Sequence, residues 1–441
     1  MEEKKLTLKD KVQIFIKNQK PTSGKTLTIV ILVLALIVCG SGFVSNATKA
    51  NNSNSTSEYT EDRLVKGTVF GDMMLGRSIK NRSERTNYSE VLDNVSSIWS
   101  DSDYVCGNLE CALLDDPSQF KLNDKEIHIN AETKSVNVLK DNGFTLINLA
   151  NNHLADFCSE GVVNTLNTLK SAGLKYVGAG ENIEEASKYD IQEVNGVKIA
   201  TVSVSDIIPK NFSAKDDKAG ILSTNNMRYY QAVREASQEA DLVIVNIHWG
   251  VEYALHETDR QTQLARNLIN FGADIVIGSH PHVLQPVEKY KDGIIFYSMG
   301  NFIFDQGWSR TKDSMILNYF VDKDGNCSFE IVPLRIKDGY PTVTTNPFFK
   351  NRTYNILTKK LKDSDYEVKD NTLLLKNAIK VDLTKNDDST TGEQTTGTDN
   401  TGTGNATGLE GTDNMTNDNT VDQNTVDQNN EDYYNEDGIN Y

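Results

Sequence analysis

Between Leu64 and Arg335, almost wholly apolar runs of strand length alternate with amphipathic stretches, and that order admits few folds. The apolar runs are Leu64–Phe70, Tyr104–Asn108, Thr145–Leu149, Lys198–Val204, Leu242–His248, Asp274–Gly278 and Ile294–Ser298. Among them Thr133–Asp141, Gly161–Ala172, Asn226–Ala240 and Thr258–Phe271 place apolar residues at helical spacing, and Gly272 stops the last. Strands alternating with helices predict an α/β domain with a largely central sheet. Met315–Val321 and Ser328–Arg335 flank Asp322-Lys323-Asp324-Gly325-Asn326, which predicts a β-hairpin. The domain is expected to span residues 64–340, with 341–385 packing on it as an extension.

The two ends are different material. Thr26–Thr48 carries no charged side chain over 23 residues, enough to cross a bilayer core, which takes about 20. Residues 1–25 hold seven lysines against Glu2, Glu3 and Asp10, an excess of positive charge that keeps this segment cytoplasmic. Residues 26–48 are therefore expected to be a single-pass transmembrane helix in the cell membrane, with 49–63 a spacer and all that follows extracellular. Ser45-Asn46-Ala47 also resembles a signal-peptidase site, which leaves release as the alternative, whereas Val38 is a poor residue before a lipidated Cys39. Residues 386–441 contain 13 acidic side chains, no basic ones and almost no large apolar ones. They bury too little apolar surface to offset ordering entropy, so a disordered tail is expected. This tail carries −13 of the formal charge of −17, leaving −4 for the rest, and the acidity argues against nucleic-acid binding. Cys106, Cys111, Cys158 and Cys327 fit no disulfide-dense spacing and are expected to be buried free thiols. Cys106 and Cys111 flank Glu110, so a thiolate metal site is the alternative.

In open α/β sheets, ligands bind beyond the carboxyl ends of the strands, so the residues that follow each strand are informative. Phe70 is followed by Gly71-Asp72-Met73-Met74-Leu75-Gly76-Arg77, and Asn108 by Leu109-Glu110. Leu149 is followed by Ala150-Asn151-Asn152-His153, with Asp156 three residues further on. The run from Leu242 ends in His248-Trp249-Gly250, and the run from Asp274 in Gly278-Ser279-His280-Pro281-His282. Ser298 leads into Met299-Gly300-Asn301. Pro281 limits the backbone, so two imidazoles are presented with little ordering entropy left to lose. Singly, Asp72, Glu110, Asn152, His153, His248, His280, His282 and Asn301 each have an ordinary reading as turn, surface or core residues. At six successive strand ends they make the carboxylates, amide oxygen and neutral imidazoles of a divalent metal centre. Arg77 suits an anionic substrate or a surface salt bridge. His128 and His256 lie off these strand ends, and Trp249 and Tyr253 either wall a pocket or pack beside a strand.

These segments, together with His248-Trp249-Gly250-Val251-Glu252-Tyr253, Gly278 to Glu288 and Tyr297-Ser298-Met299-Gly300-Asn301-Phe302, resemble the CapA family of capsule-synthesis proteins, also called the poly-γ-glutamate synthesis family. The resemblance runs in family order from Val65 to Asp305. It implies a calcineurin-like metallophosphoesterase four-layer sandwich, with two packed mixed sheets flanked by helices. It implies that Asp72, Glu110, Asn152, His248, His280 and His282 line the place where one or two divalent ions (Mn, Zn, Fe or Mg) are held. By the same resemblance His153 protonates a leaving group; the residues themselves suit Asp156 to orienting His153, Asn152 to orienting a substrate oxygen, and Arg77 and Asn301 to meeting substrate. Met74 departs from the Asp-x-His of the wider phosphoesterases, and Glu110 stands where their bridging aspartate is expected. A thioether is a poor ligand for hard cations, so two-metal hydrolysis is left open.

Three functions follow. One is an accessory component of capsule or poly-γ-glutamate assembly, partnered by an anionic envelope polymer and by membrane proteins of a polymer synthase complex. Another is a free-standing cell-surface metal-dependent phosphoesterase. The third is a non-catalytic polymer-binding scaffold on the same fold.

Overall fold

The structure, a computed structural model, describes residues 62–384 apart from Arg85 and Asn87. The expected membrane segment 26–48 and acidic tail 386–441 lie outside the described residues. Among those described, no helix is long and apolar enough to cross a membrane.

The main strands are β1 (Arg63–Met73), β2 (Tyr104–Leu109), β3 (Leu146–Asn148), β4 (Val197–Ser205), β5 (Leu242–His248), β6 (Ile275–Ser279), β7 (Gly293–Phe296), β8 (Asn301–Ile303), β9 (Asp313–Asp322), β10 (Asn326–Lys337) and β11 (Thr372–Lys380). They form two sheets where the apolar runs alone predict one. The first has the order β11-β10-β9-β1-β2-β3, parallel from β1 to β3 and antiparallel from β1 through β11. The second runs β7-β6-β5-β4, all parallel, with antiparallel edges at Val287–Tyr290 and Asp190–Val194. Periodicity reports that a strand is buried; it does not report which strands share a sheet.

Alternation along each strand builds the stack. Val65, Val69, Cys106, Ile199, Leu242, Ile244, Ile275 and Ile277 meet in one core between the sheets. Their sequence neighbours face outward. Phe70, Val105 and Ile147 pack with helix α1 (Val136–Asp141) and helix α2 (Cys158–Ala172). Val202, Val243, Val245 and Val276 pack with α3 (Arg228–Glu239) and α4 (Asp259–Asn270). Central strands thus hide both faces, which is why their runs read as apolar without alternation. The extension joins this stack, for Leu373 and Leu375 of β11 and Leu357 of helix α5 (Pro347–Leu357) enter the inter-sheet core.

One irregularity in β1 matters. Phe70 lies opposite Gly107 of β2, yet Asp72 lies opposite Asn108, so Gly71 is an extra, bulged residue. Because strand side chains alternate with period two, one added residue exchanges the faces that follow. Met73 therefore joins the outer core beside Phe70, and Asp72 turns toward the second sheet, where its Oδ2 accepts from the His280 backbone N–H at 3.2 Å. A Cβ at Gly71 would lie 1.9 Å from the Gly300 carbonyl oxygen. Gly71→Ala should therefore destabilise the protein by about 1–3 kcal/mol in urea unfolding. Gly307→Ala, whose Cβ meets nothing within 4 Å, should stay within about 0.5 kcal/mol of the parent.

Candidate metal centre

The columns that face inward from the two sheets turn polar at their C-terminal ends. In β2 the inward order is Tyr104, Cys106, Asn108, and in β5 it is Leu242, Ile244, Asn246, His248. The apolar core thus gives way to a polar mouth where parallel strands of both sheets stop. Asp72, Glu110, His248, His280 and His282 converge there, each no more than 5 % exposed.

Asn108 Nδ2 donates to Asp72 Oδ1 at 2.8 Å and lies 3.5 Å from His248 Nδ1. His248 Nε2 is 3.0 Å from Asn152 Oδ1 and 3.7 Å from Glu110 Oε1. His282 reaches both acids, with Nδ1 3.3 Å from Asp72 and Nε2 3.8 Å from Glu110. His280 and His282 both adopt positive φ, 95° and 57°, which non-glycine residues rarely do. The turn is held open by the bond from the His280 N–H to Asp72 and by the Tyr253 N–H donating to Pro281 O at 2.8 Å.

Two sets of three could each grip an ion. Asp72, Glu110 and His282 form one, Glu110, His248 and His280 the other, with ligand atoms in each set within 4.8 Å of one another. Glu110 belongs to both. Neither of its oxygens has a hydrogen-bond partner, nor has His280 Nδ1. Burial, and next the charge of Asp72, push the Glu110 carboxyl well above its ordinary range. Burial acts on Asp72 in the same sense, but His282, Asn108 and the His280 N–H outweigh it and hold that acid low. Burial and the neighbouring imidazoles press His248 far down and His280 to about 3, so both rings are neutral. Neutral imidazoles around an unpartnered carboxyl are the donors a divalent cation takes, and the residues fit one. Neither set needs position 74, where the Met74 sulfur accepts from the Gly76 N–H at 3.1 Å.

Beside this cluster, His153 Nδ1 is 2.7 Å from Asp156 Oδ2. Burial lowers the His153 pKa, and Asp156 partly restores it. Lys125, which sequence reasoning missed, donates to Asp156 Oδ1 and to Asn152 O, each at 2.8 Å. It comes from an irregular loop with no periodic or motif signal. Asn151 is a second supporting residue, donating to Asn108 Oδ1 at 3.0 Å and accepting from the His153 N–H.

The two side chains expected to meet substrate have partners within the protein. Asn301 is fully buried and its Oδ1 lies 2.8 Å from His282 Nδ1, so it orients an imidazole. Arg77 is ion-paired with Asp305 and lies over the Phe304 ring, which matches the salt-bridge reading. Cys106, Cys111 and Cys327 are buried free thiols and Cys158 is partly exposed. Burial pushes Cys106 and Cys111 up to about 12. Among the described residues neither belongs to either candidate ligand set. His128 is held by Asn123, and His256 lies against Lys359. Trp249 is core, donating to Tyr297 O at 2.9 Å, while Tyr253 walls the mouth with its ring 6.2 Å from His282.

Residues 66–306 match the family described as bacterial capsule synthesis protein PGA_cap. The chain is 39 % identical over 361 residues to the capsule biosynthesis protein CapA of Bacillus anthracis, covering 81 % of this chain and 87 % of that one. It is 36 % identical over 364 residues to the PGA biosynthesis protein CapA of Bacillus subtilis (strain 168), covering 82 % and 94 %. Among solved structures, a 5'-nucleotidase precursor from Thermus thermophilus is similar at a TM-score of 0.37 and 13 % identity, over 67 % of this chain and 58 % of that one. A likeness so slight carries no functional argument. The family match and the two relatives each span more than half of the sequence, and the chain belongs to the bacterial capsule synthesis protein PGA_cap family.

Proposed function

We propose that this chain is a membrane-anchored, extracellular component of capsule or poly-γ-glutamate assembly whose domain holds a divalent-cation centre acting on an anionic substrate. The polymer part rests on relatives named for capsule and PGA biosynthesis. The anchor rests on the uncharged segment Thr26–Thr48 behind a lysine-rich stretch. The single observation that carries the centre is Glu110, whose carboxyl is sealed from water with both oxygens unpartnered and belongs to two potential ligand sets.

Asp72, Glu110, His282, His248 and His280 would hold the ion, with Asn152 beside His248. When bound, such an ion supplies Lewis acidity that polarises a phosphoryl or acyl oxygen and acidifies water. The protein supplies the rest. His153 has Nδ1 committed to Asp156, which leaves Nε2 to pass a proton to a leaving group. Lys125 fixes Asp156 and the Asn152 backbone, so the two groups keep their spacing.

Mn²⁺ added to chelator-stripped protein should raise the thermal midpoint, because binding at 100 times Kd adds about 2.7 kcal/mol. Burial and the Asp72 charge push the Glu110 carboxyl well above its ordinary range, so a cation binding there competes with a proton, and affinity should rise with pH. Calorimetry in buffers of different ionisation enthalpy should count that proton, and Glu110→Gln should abolish both the release and the thermal shift. Hydrolysis of bis(p-nitrophenyl) phosphate should fall roughly 10²–10⁴-fold in His153→Ala while bound metal, read by elemental analysis, stays unchanged. No turnover in the parent would leave a binding centre in place of an enzyme. Protease added to intact cells should digest the domain and spare residues 1–25; protection of the domain would overturn the outward topology.

A further inference from the structure

A second concavity, a groove of about 560 Å³, adjoins the loops that wall the centre. The loop that sets Tyr253 against His282 continues to Leu255 and His256 in the groove wall. The segment that sets Trp308 against Tyr253, ring centres 4.7 Å apart, continues to Arg310 in the same wall. The opposite side is α5 with Lys359 just beyond it. Two loops therefore run from one site to the other.

The groove is cationic. Arg352 lines it and shares the Asp313 carboxylate with Arg335, which lies outside the lining, so one acid offsets two arginines. Among the described residues neither Arg310 nor Lys359 has a carboxylate partner, and the Lys359 ammonium rests 3.2 Å from the His256 ring. It is also apolar and amide-lined. Phe348 is 66 % exposed there, and Asn351 and Asn355 lie along the exposed face of α5. Spaced cations flanking an apolar strip and amide side chains complement carboxylates carried on a methylene and amide backbone. A compact phosphate would use the charge and leave the apolar strip idle.

We infer that this groove binds a strand of a carboxylate-bearing polyamide and leads it past Trp308 and Tyr253 toward the centre. The inference rests on the polymer reading proposed above and adds where the strand lies. The cations suit a backbone that carries carboxylates, and the aromatic step at Trp308 lies between the groove and the mouth.

Fluorescein-labelled poly-γ-glutamate, followed by anisotropy against the full-length protein at low salt, tests this. Arg310→Glu with Lys359→Glu should weaken binding roughly tenfold or more, and the milder Arg310→Gln with Lys359→Gln should weaken it in the same direction. Lys140→Glu, exposed on α1 away from the groove, should change nothing. Unchanged thermal unfolding shows that the variants are folded. If the parent binds and the groove variants bind equally well, the groove is wrong while the polymer reading stands. If the parent and a chain lacking residues 386–441 both fail to bind, the polymer reading falls and takes the groove with it. Binding that emerges only without residues 386–441 makes that acidic segment the occupant and overturns the polymer strand as the resident.

Discussion

A carboxyl group with no hydrogen-bond donor is hard to keep away from water, and Glu110 is kept fully buried. An uncompensated buried charge costs several kcal/mol, so such a group is either neutral or met by a cation. The surroundings favour a cation. Neutral His248 and His280 lie on one side of Glu110, and Asp72 with His282 on the other. A protonated acid would need one acceptor for its hydrogen, whereas four side chains that can each give an electron pair surround Glu110. Two local irregularities converge on the same point. The bulge at Gly71 turns Asp72 into the mouth, and the turn from His280 to His282 holds two residues at positive φ. Strain of this kind persists when the surrounding structure fixes it, and it gathers at functional sites.

The sheet stack decides where that pocket can be. Parallel strands of the two sheets stop at one edge, and only there do the inward columns exchange apolar for polar residues. Elsewhere the inter-sheet space is filled mainly by aliphatic and aromatic side chains packed together. The supporting residues come from that same edge. Asn301 enters on β8, paired in register with Asp72, and fixes the His282 ring. Asn108 and Asn151 bond to each other and tie β2 to the loop after β3. A metal centre whose ligands come from several strands needs such partners to hold each ring in one orientation.

Much of this is legible in the sequence, and the reasons differ from part to part. Strands buried on both faces announce themselves as short apolar runs, so all seven lie within three residues of where those runs put them. The convergence of Asp72, Glu110 and the three histidines follows from asking what ends each strand. The division into two sheets is not legible in apolar runs, because pairing is a non-local choice. The bulge is hidden too: by simple alternation Asp72 would share the outer face of Phe70, and only the register against β2 reveals the exchange. Arg77 and Asn301 illustrate a further limit. Residue type and spacing place a side chain near a site, but whether it meets substrate or a neighbour depends on loops such as Asp305–Asp313. Lys125 has no signal at all. A lone lysine in an irregular segment gains meaning only when folding brings it to Asp156.

A crystal grown with Mn²⁺ and recorded near the manganese absorption edge tests the centre most directly. An ion held as described requires an anomalous peak at the strand-end mouth, within coordination distance of a Glu110 oxygen and of imidazole nitrogens of the buried histidines. A map with no peak there, and a Glu110 carboxyl hydrogen-bonded to ordered water instead, would contradict it.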